Sequence, residues 1–169
     1  MPSRPAIRLL VLDVDGVLTD GRLYFGARGE ALKVFDVRDG YGLVALQRAG
    51  VAVAVISGRR SLAVRERCRE LRVRHVYQGV QDKLVVFERL RARLKLARAV
   101  CACVGDDLPD LPLMSAVALS FAVADAHPAV RRVASLVTRR GGGRGAVREV
   151  CDLLLAARRS RAARGRVRR

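Results

Sequence analysis

The sequence has no tryptophan, and four phenylalanines and three tyrosines are its only aromatic residues. It therefore lacks the aromatic-basic interleaving with which single-strand and RNA-binding surfaces stack bases. No apolar run approaches the roughly eighteen residues of a membrane-spanning helix. The first apolar block, Ile7 to Val14, is broken by Asp13 and followed by Asp15, a pattern that a signal-peptide core tolerates poorly. A cytoplasmic protein with no membrane partner is expected. The four cysteines, Cys68, Cys101, Cys103 and Cys151, form no C-x-x-C pair, and only His75 and His127 are available to complete a zinc site. Neither a disulfide framework nor a zinc centre is indicated. Lysine is scarce too: of 33 basic side chains only Lys33, Lys83 and Lys95 are not arginine.

What is plentiful is positive charge, a formal +17 over 169 residues. Such a charge can attract polyanions, but with so few aromatics a nucleic-acid partner is not expected. Residues 158–169 read as a solvated, disordered basic tail. The remainder, residues 1–157, is one domain's worth of chain, long enough to bury about two-thirds of its unfolded surface around a single core.

Ile7 to Leu12 is a continuous leucine- and β-branched-rich run ending in Asp13, the signature of a strand buried on both faces. Val51 to Ile56 ends at Ser57-Gly58, Val100 to Val104 at Gly105-Asp106, and Val117 to Val123 near Asp125. Segments of helical spacing lie between or after these runs: Tyr41–Ala49, Ser61–Leu71, Lys83–Leu96, Leu108–Ala116 and Ala146–Ala157. The alternation predicts an α/β, Rossmann-like three-layer fold with a mostly parallel central sheet. In open sheets of this kind the ligand crevice lies at the carboxyl ends of the strands, so the polar run-ends should converge. Gly21 to Asp36 departs from the alternation. Leu23-Tyr24-Phe25 and Leu32-Lys33-Val34-Phe35 flank Gly26-Ala27-Arg28-Gly29, which predicts a hairpin flap over that crevice and leaves no room for a larger cap.

Asp13 and Asp15 leave a buried strand two residues apart where the chain turns at Gly16. Buried acids need a partner, and magnesium, which favours one or two carboxylates with water and phosphate oxygens, would supply one. Ser57-Gly58 ends a second buried strand. The Ser57 hydroxyl and nearby backbone N–H groups suit a phosphate oxygen, or Ser57 caps the helix that follows. Lys83 opens a helix in a chain that otherwise prefers arginine. A compact ammonium suits a phosphate oxygen and an acidic nucleophile together, though the residue alone also fits a surface lysine. Gly105-Asp106-Asp107-Leu108-Pro109-Asp110 is a second acidic cluster, in which Asp107 or Asp110 can cap the next helix.

Taken in order, the DVDGVLTDG stretch from Asp13, ISGR at Ile56–Arg59, Lys83, and GDDLPD from Gly105 resemble the four motifs of haloacid-dehalogenase-superfamily phosphatases. KVFDVRDGYGL from Lys33, HVYQGVQDKL from His75 and GGRGAVREVCDLLL from Gly142 narrow the resemblance to the 3-deoxy-D-manno-octulosonate 8-phosphate phosphatase family, over roughly residues 6 to 157. The resemblance implies a capless homotetramer in lipopolysaccharide precursor biosynthesis. It implies Asp13 as nucleophile, Asp15 as acid-base, and Ser57 and Lys83 as phosphoryl holders. Magnesium would sit on Asp13, the Asp15 main-chain carbonyl and Asp106.

Gly58 and Arg59 would meet the sugar acid, Arg59 being the marker that separates this branch from a sialic-acid-type 9-phosphate relative, where Glu is usual. By the same resemblance, Arg67 reaches substrate from an adjacent subunit and Arg144 approaches a neighbour's site. Asp36 and Gln81 stand where the family more often has Asn and Arg. The alternatives are a phosphatase of another nonulosonic acid or sugar phosphate, and a basic nucleic-acid-binding protein with a vestigial site.

Overall fold

The computed structural model describes residues 6–167. Six parallel strands form the central sheet: β1 (Leu9–Leu12), β4 (Ala52–Ser57), β5 (His75–Gln78), β6 (Cys101–Gly105), β7 (Leu119–Ala122) and β8 (Leu136–Val137). Their spatial order is β5-β4-β1-β6-β7-β8. β1 lies centrally and pairs in register with β4 on one side and β6 on the other. This position explains its unbroken apolar sequence, because every residue of β1 is buried whichever face it points to. Each fully buried leucine there is worth about 1.5–3 kcal/mol relative to exposure.

The chain winds outward from β1 to β4 and β5, then returns to β6 and continues to β7 and β8. The winding direction therefore reverses between β1 and β6. A crevice opens at the carboxyl ends of strands at such a reversal, and here those ends carry Asp13 and Asp106.

The helices are α1 (Val37–Arg48), α2 (Leu62–Glu70), α3 (Lys83–Arg93), α4 (Leu111–Ala116), α5 (Pro128–Val133) and α6 (Ala146–Val167). In α6 the buried residues Val147, Val150, Cys151 and Leu154 follow the i, i+3, i+4, i+7 pattern of an apolar stripe. That stripe packs on α1. The approach is close because Gly42 of α1 has no side chain: a Cβ there would lie 3.1 Å from both Arg148 and Cys151. Where a disordered basic tail is expected from Arg158, α6 instead continues to Val167. Alanine and arginine are strong helix formers, and Arg158 donates to the Ile7 carbonyl at 3.1 Å. Residues 168–169 of that tail lie outside the described residues.

Asp39 fastens α1 to the start of α6. Its carboxylate is buried and accepts a hydrogen bond from the Arg148 N–H at 2.7 Å. Burial pushes its pKa up to about 6. Because the folded value lies above the unfolded one, the Asp39 contribution to stability is complete below the unfolded pKa and is lost as pH rises through about 6. We expect wild type to gain about 1.4 kcal/mol relative to Asp39→Asn between pH 7.5 and pH 5, one pKa unit's worth. Denaturant melts of both proteins at the two pH values check this.

The flap is a two-stranded antiparallel hairpin of β2 (Tyr24–Gly26) and β3 (Gly29–Leu32). Its second strand starts earlier than the sequence suggests. Gly26 pairs with Gly29 across a two-residue turn, and Gly29 has φ +100, a backbone state open to glycine and costly for other residues. Lys33 to Phe35 therefore lie past the strand. Asp36 caps α1, accepting from the Arg38 N–H at 2.7 Å. Asn would cap equally well, so the departure at Asp36 carries no structural consequence.

Candidate active site

The carboxyl ends of β1 and β6 bring Asp13, Asp106 and Asp110 together, with one oxygen from each within 4.8 Å of the others. The Asp13 N–H extends the ladder by donating to the Val104 carbonyl at 3.2 Å, which fixes the nucleophile candidate at the strand end. Gly16 permits the next turn: its φ is +88, and a Cβ there would overlap the Asp106 carboxylate. From below, Gly142 packs on the Gly16 carbonyl so closely that any side chain would collide. The Gly142 N–H donates to Asp125 at 2.9 Å, and the Gly143 N–H to the Val17 carbonyl at 2.9 Å. The apolar strands thus fix the two acid-bearing ends, and glycine lets their loops touch.

Among the described residues, Lys83 is the only ammonium between the three carboxylates. Its Nζ lies 2.8 Å from Asp13 Oδ1 and 2.7 Å from Asp110 Oδ1. The side chain is 7% exposed, so both pairs are poorly screened by water. Burial lowers the Lys83 pKa, but the attraction of Asp13 and Asp110 outweighs it and the net shift is upward. Asp110 also accepts from the Asp106 N–H at 3.0 Å through Oδ2 and closes a reciprocal capping box with Asp107. It therefore shapes the loop that aims Asp106.

Three acids against one ammonium leave negative charge in excess. Asp106 Oδ1 is buried without a hydrogen-bond partner among the described residues. Burial, followed by the neighbouring charges of Asp13 and Asp110, pushes the Asp106 carboxyl well above the ordinary aspartate range. Asp13 is also raised, by burial first, with Lys83 opposing. An all-oxygen donor set with an orphaned buried oxygen and uncompensated charge fits a hard divalent cation such as magnesium.

Ser57 ends β4 and is buried. Its Oγ accepts from the Arg59 N–H at 3.3 Å, so it belongs to the turn beyond the strand and does not cap α2, whose N-cap is Ser61. Gly58 and Arg59 are exposed just beyond the carboxyl end of β4. Arg59 reaches back to Asp15 Oδ2 at 3.8 Å and across to Glu30 Oε2 at 3.6 Å. Two flap residues not assigned to the site from the sequence complete this side: Lys33, whose side chain is 1% exposed, is hydrogen-bonded to Asp15, and Glu30 is paired with it at 3.2 Å. The expected hairpin thus contacts the acid–base candidate of its own chain.

Arg67 is turned towards its own chain. It pairs with Glu70 at 2.8 Å, lies over the Phe35 ring at 6.0 Å, and packs against Gly40. Arg144 is exposed in the glycine loop, and its carbonyl accepts from Arg38 at 3.3 Å. The structure assigns neither side chain a contact with the three clustered acids.

A parallel sheet whose β1 and β6 ends converge carboxylates on a lysine is the framework of the haloacid dehalogenase-like hydrolases, and the model of that family matches residues 74–147. The 3-deoxy-D-manno-octulosonate 8-phosphate phosphatase KdsC of Escherichia coli is 55% identical over 157 residues, 93% of this chain and 84% of that protein. The crystal structure of the phosphatase of that name from Yersinia pestis superposes with TM-score 0.88 at 53% identity, covering 89% of this chain and 82% of that one. The Moraxella catarrhalis phosphatase, solved with magnesium, phosphate and KDO, superposes with TM-score 0.87 at 41% identity over 89% and 87% of the two chains. The chain belongs to the 3-deoxy-D-manno-octulosonate 8-phosphate phosphatase family.

Proposed function

We propose that this protein hydrolyses 3-deoxy-D-manno-octulosonate 8-phosphate to the free sugar acid and phosphate, using magnesium and an aspartyl-phosphate on Asp13. The observation that carries the reading is the Asp13–Lys83–Asp110–Asp106 constellation, with its unpaired Asp106 oxygen, in a chain 55% identical to KdsC. Asp13 and Asp106, with the Asp15 main-chain carbonyl, would hold the metal, which when bound offsets negative charge on the phosphoryl oxygens.

A carboxylate oxygen of Asp13 attacks phosphorus in line with the sugar oxygen. As the P–O bond breaks, Asp15 gives its proton to the leaving oxygen, and Asp13 is left as an acyl phosphate. Asp15, now a carboxylate, takes a proton from the water that attacks the same phosphorus. Inorganic phosphate departs and the Asp13 carboxylate is restored. Lys83 and Ser57 hold the phosphoryl oxygens through both steps, as donors already in place before charge moves. Lys33, hydrogen-bonded to Asp15, fixes where that carboxyl points. Gly58 and Arg59 border the place of the sugar acid.

Assembly as a homotetramer in the cytoplasm, in lipopolysaccharide precursor synthesis, completes the proposal. The exposed apolar side chains Leu23, Phe25 and Val34 of the flap region, with Val37, Tyr41 and Leu62 on the adjoining helices, favour burial against neighbouring subunits. Arg67 and Arg144 would serve the neighbour's site in that assembly. No described helix is long and apolar enough to cross a membrane.

The substrate is tested by phosphate release from the octulosonate 8-phosphate beside sialic-acid-type 9-phosphates and neutral sugar phosphates, with magnesium and with chelator. The expected result is a chelator-sensitive preference of at least about tenfold in kcat/KM for the octulosonate, or about 1.4 kcal/mol of differential transition-state binding. Preference for another member of the panel would overturn the substrate.

A further inference from the structure

Arg59, Lys33 and Ser61 form a receptor for a carboxylate, and the carboxylate it holds in this structure is the chain's own. Glu30, on β3 of the flap, receives a hydrogen bond from the Ser61 hydroxyl at Oε1, and its Oε2 lies 3.2 Å from the Lys33 ammonium and 3.6 Å from the Arg59 guanidinium. One hydroxyl and two cations around a single acid is the donor set that a sugar carboxylate would require. Burial alone would raise the Glu30 pKa, but its contacts with Ser61, Lys33 and Arg59 outweigh this and hold the carboxyl below the ordinary glutamate range. The seat is therefore tuned for a carboxylate anion.

Glu30 is nevertheless replaceable. Oε2 is buried and held by charge without a well-aligned hydrogen bond, and the residue belongs to a two-stranded hairpin that pairs with no other described strand. Asp15, the acid–base group, is joined to the same cluster through Lys33 and faces Arg59 at 3.8 Å. An anion entering the receptor would thus meet the group that must protonate its leaving oxygen.

We propose that Glu30 is an internal stand-in for the substrate's carboxylate: it occupies Arg59, Lys33 and Ser61 in the free enzyme and is displaced by an acidic sugar phosphate. The inference rests on the substrate reading above and adds to it a residue that sets the enzyme's discrimination between acidic and neutral phosphates. Displacement spends part of the substrate's binding energy, so removing the competitor strengthens binding of carboxylated substrates selectively.

The test compares wild type, Glu30→Gln and Glu30→Ala on 3-deoxy-D-manno-octulosonate 8-phosphate and on arabinose 5-phosphate, a sugar phosphate with no carboxylate. Both variants are expected to raise the ratio of the neutral to the acidic KM by about threefold to tenfold, the effect of relieving one partly exposed charge pair. A lowered ratio in both variants would show that Glu30 instead positions Arg59 for the substrate, and an unchanged ratio would show that the receptor is not where the carboxylate binds. Either overturns the proposal. If wild type ignores the octulosonate but hydrolyses another carboxylated sugar phosphate, the substrate reading alone fails, and the same ratio measured with that compound decides Glu30. If no carboxylated phosphate is hydrolysed, both fail.

Discussion

Asp13→Asn is expected to lower phosphate release by about ten-thousandfold or more, the scale at which loss of a covalent nucleophile is felt, while its melting temperature in chelator stays at or above that of wild type. The two halves of this result have one origin. Asp13 sits where burial raises its pKa despite the nearby Lys83, so its ionised form is costly to the folded protein when no cation is bound. An amide of the same shape removes that charge. Lys83 keeps its 2.7 Å contact with Asp110, so the substitution strands no buried ammonium. A large fall in melting temperature would mean that Asp13 holds the fold together and would weaken its assignment as a residue kept for chemistry.

Lys83→Ala should act differently and cost both activity and stability. Without Lys83 the Asp13, Asp106 and Asp110 carboxylates have no ammonium among them, and breaking a buried pair typically costs about 3–5 kcal/mol. Turnover should fall about a hundredfold to a thousandfold, as when one preorganised donor to a reacting oxyanion is removed. Magnesium should recover part of the lost stability but not the lost rate, because it offsets charge without replacing the donor. Thermal melts with magnesium and with chelator, alongside kcat, separate the two effects. A Lys83→Ala protein as stable as wild type in chelator would contradict the charge balance described here.

The sheet was readable from sequence to the extent that its strands are buried on both faces. β1, β4, β6 and β7 are apolar runs because neighbours and helices enclose them; β1 and β7 lie within the runs that predict them, and β4 and β6 each extend one residue past theirs, to Ser57 and Gly105. β5 and β8 escape that reading. β5 is only partly buried at the sheet edge and spells His-Val-Tyr-Gln, while β8 is two exposed residues long. α5 is six residues, too short for periodicity to mark it.

Of the candidates that stand where an apolar run stops or a helix starts, the structure brings together Asp13, Lys83 and Asp106. Asp110 was legible only as a possible helix cap. It does close a capping box, and the same carboxylate also pairs with Lys83, a double use that spacing cannot reveal. Lys33 carried the signal that singled out Lys83, being one of three lysines in an arginine-rich chain. Its role depends on the flap folding back over Asp15, a contact between residues 18 apart that no local pattern encodes. Arg67 is the converse case: its side chain engages Phe35 and Glu70 of its own chain, and any service to another subunit depends on an assembly that one chain's sequence does not describe.

Passage of the phosphoryl group through Asp13 is checked by rapid acid quench of wild type mixed with magnesium and 3-deoxy-D-manno-octulosonate 8-phosphate, followed by peptide mass spectrometry. Passage through Asp13 requires a phosphorylated peptide spanning that residue, one that appears within the first turnover and is missing in Asp13→Asn and in chelator. Rapid turnover with no phosphorylated peptide, and an Asp13→Asn protein that still releases phosphate at a comparable rate, would contradict it.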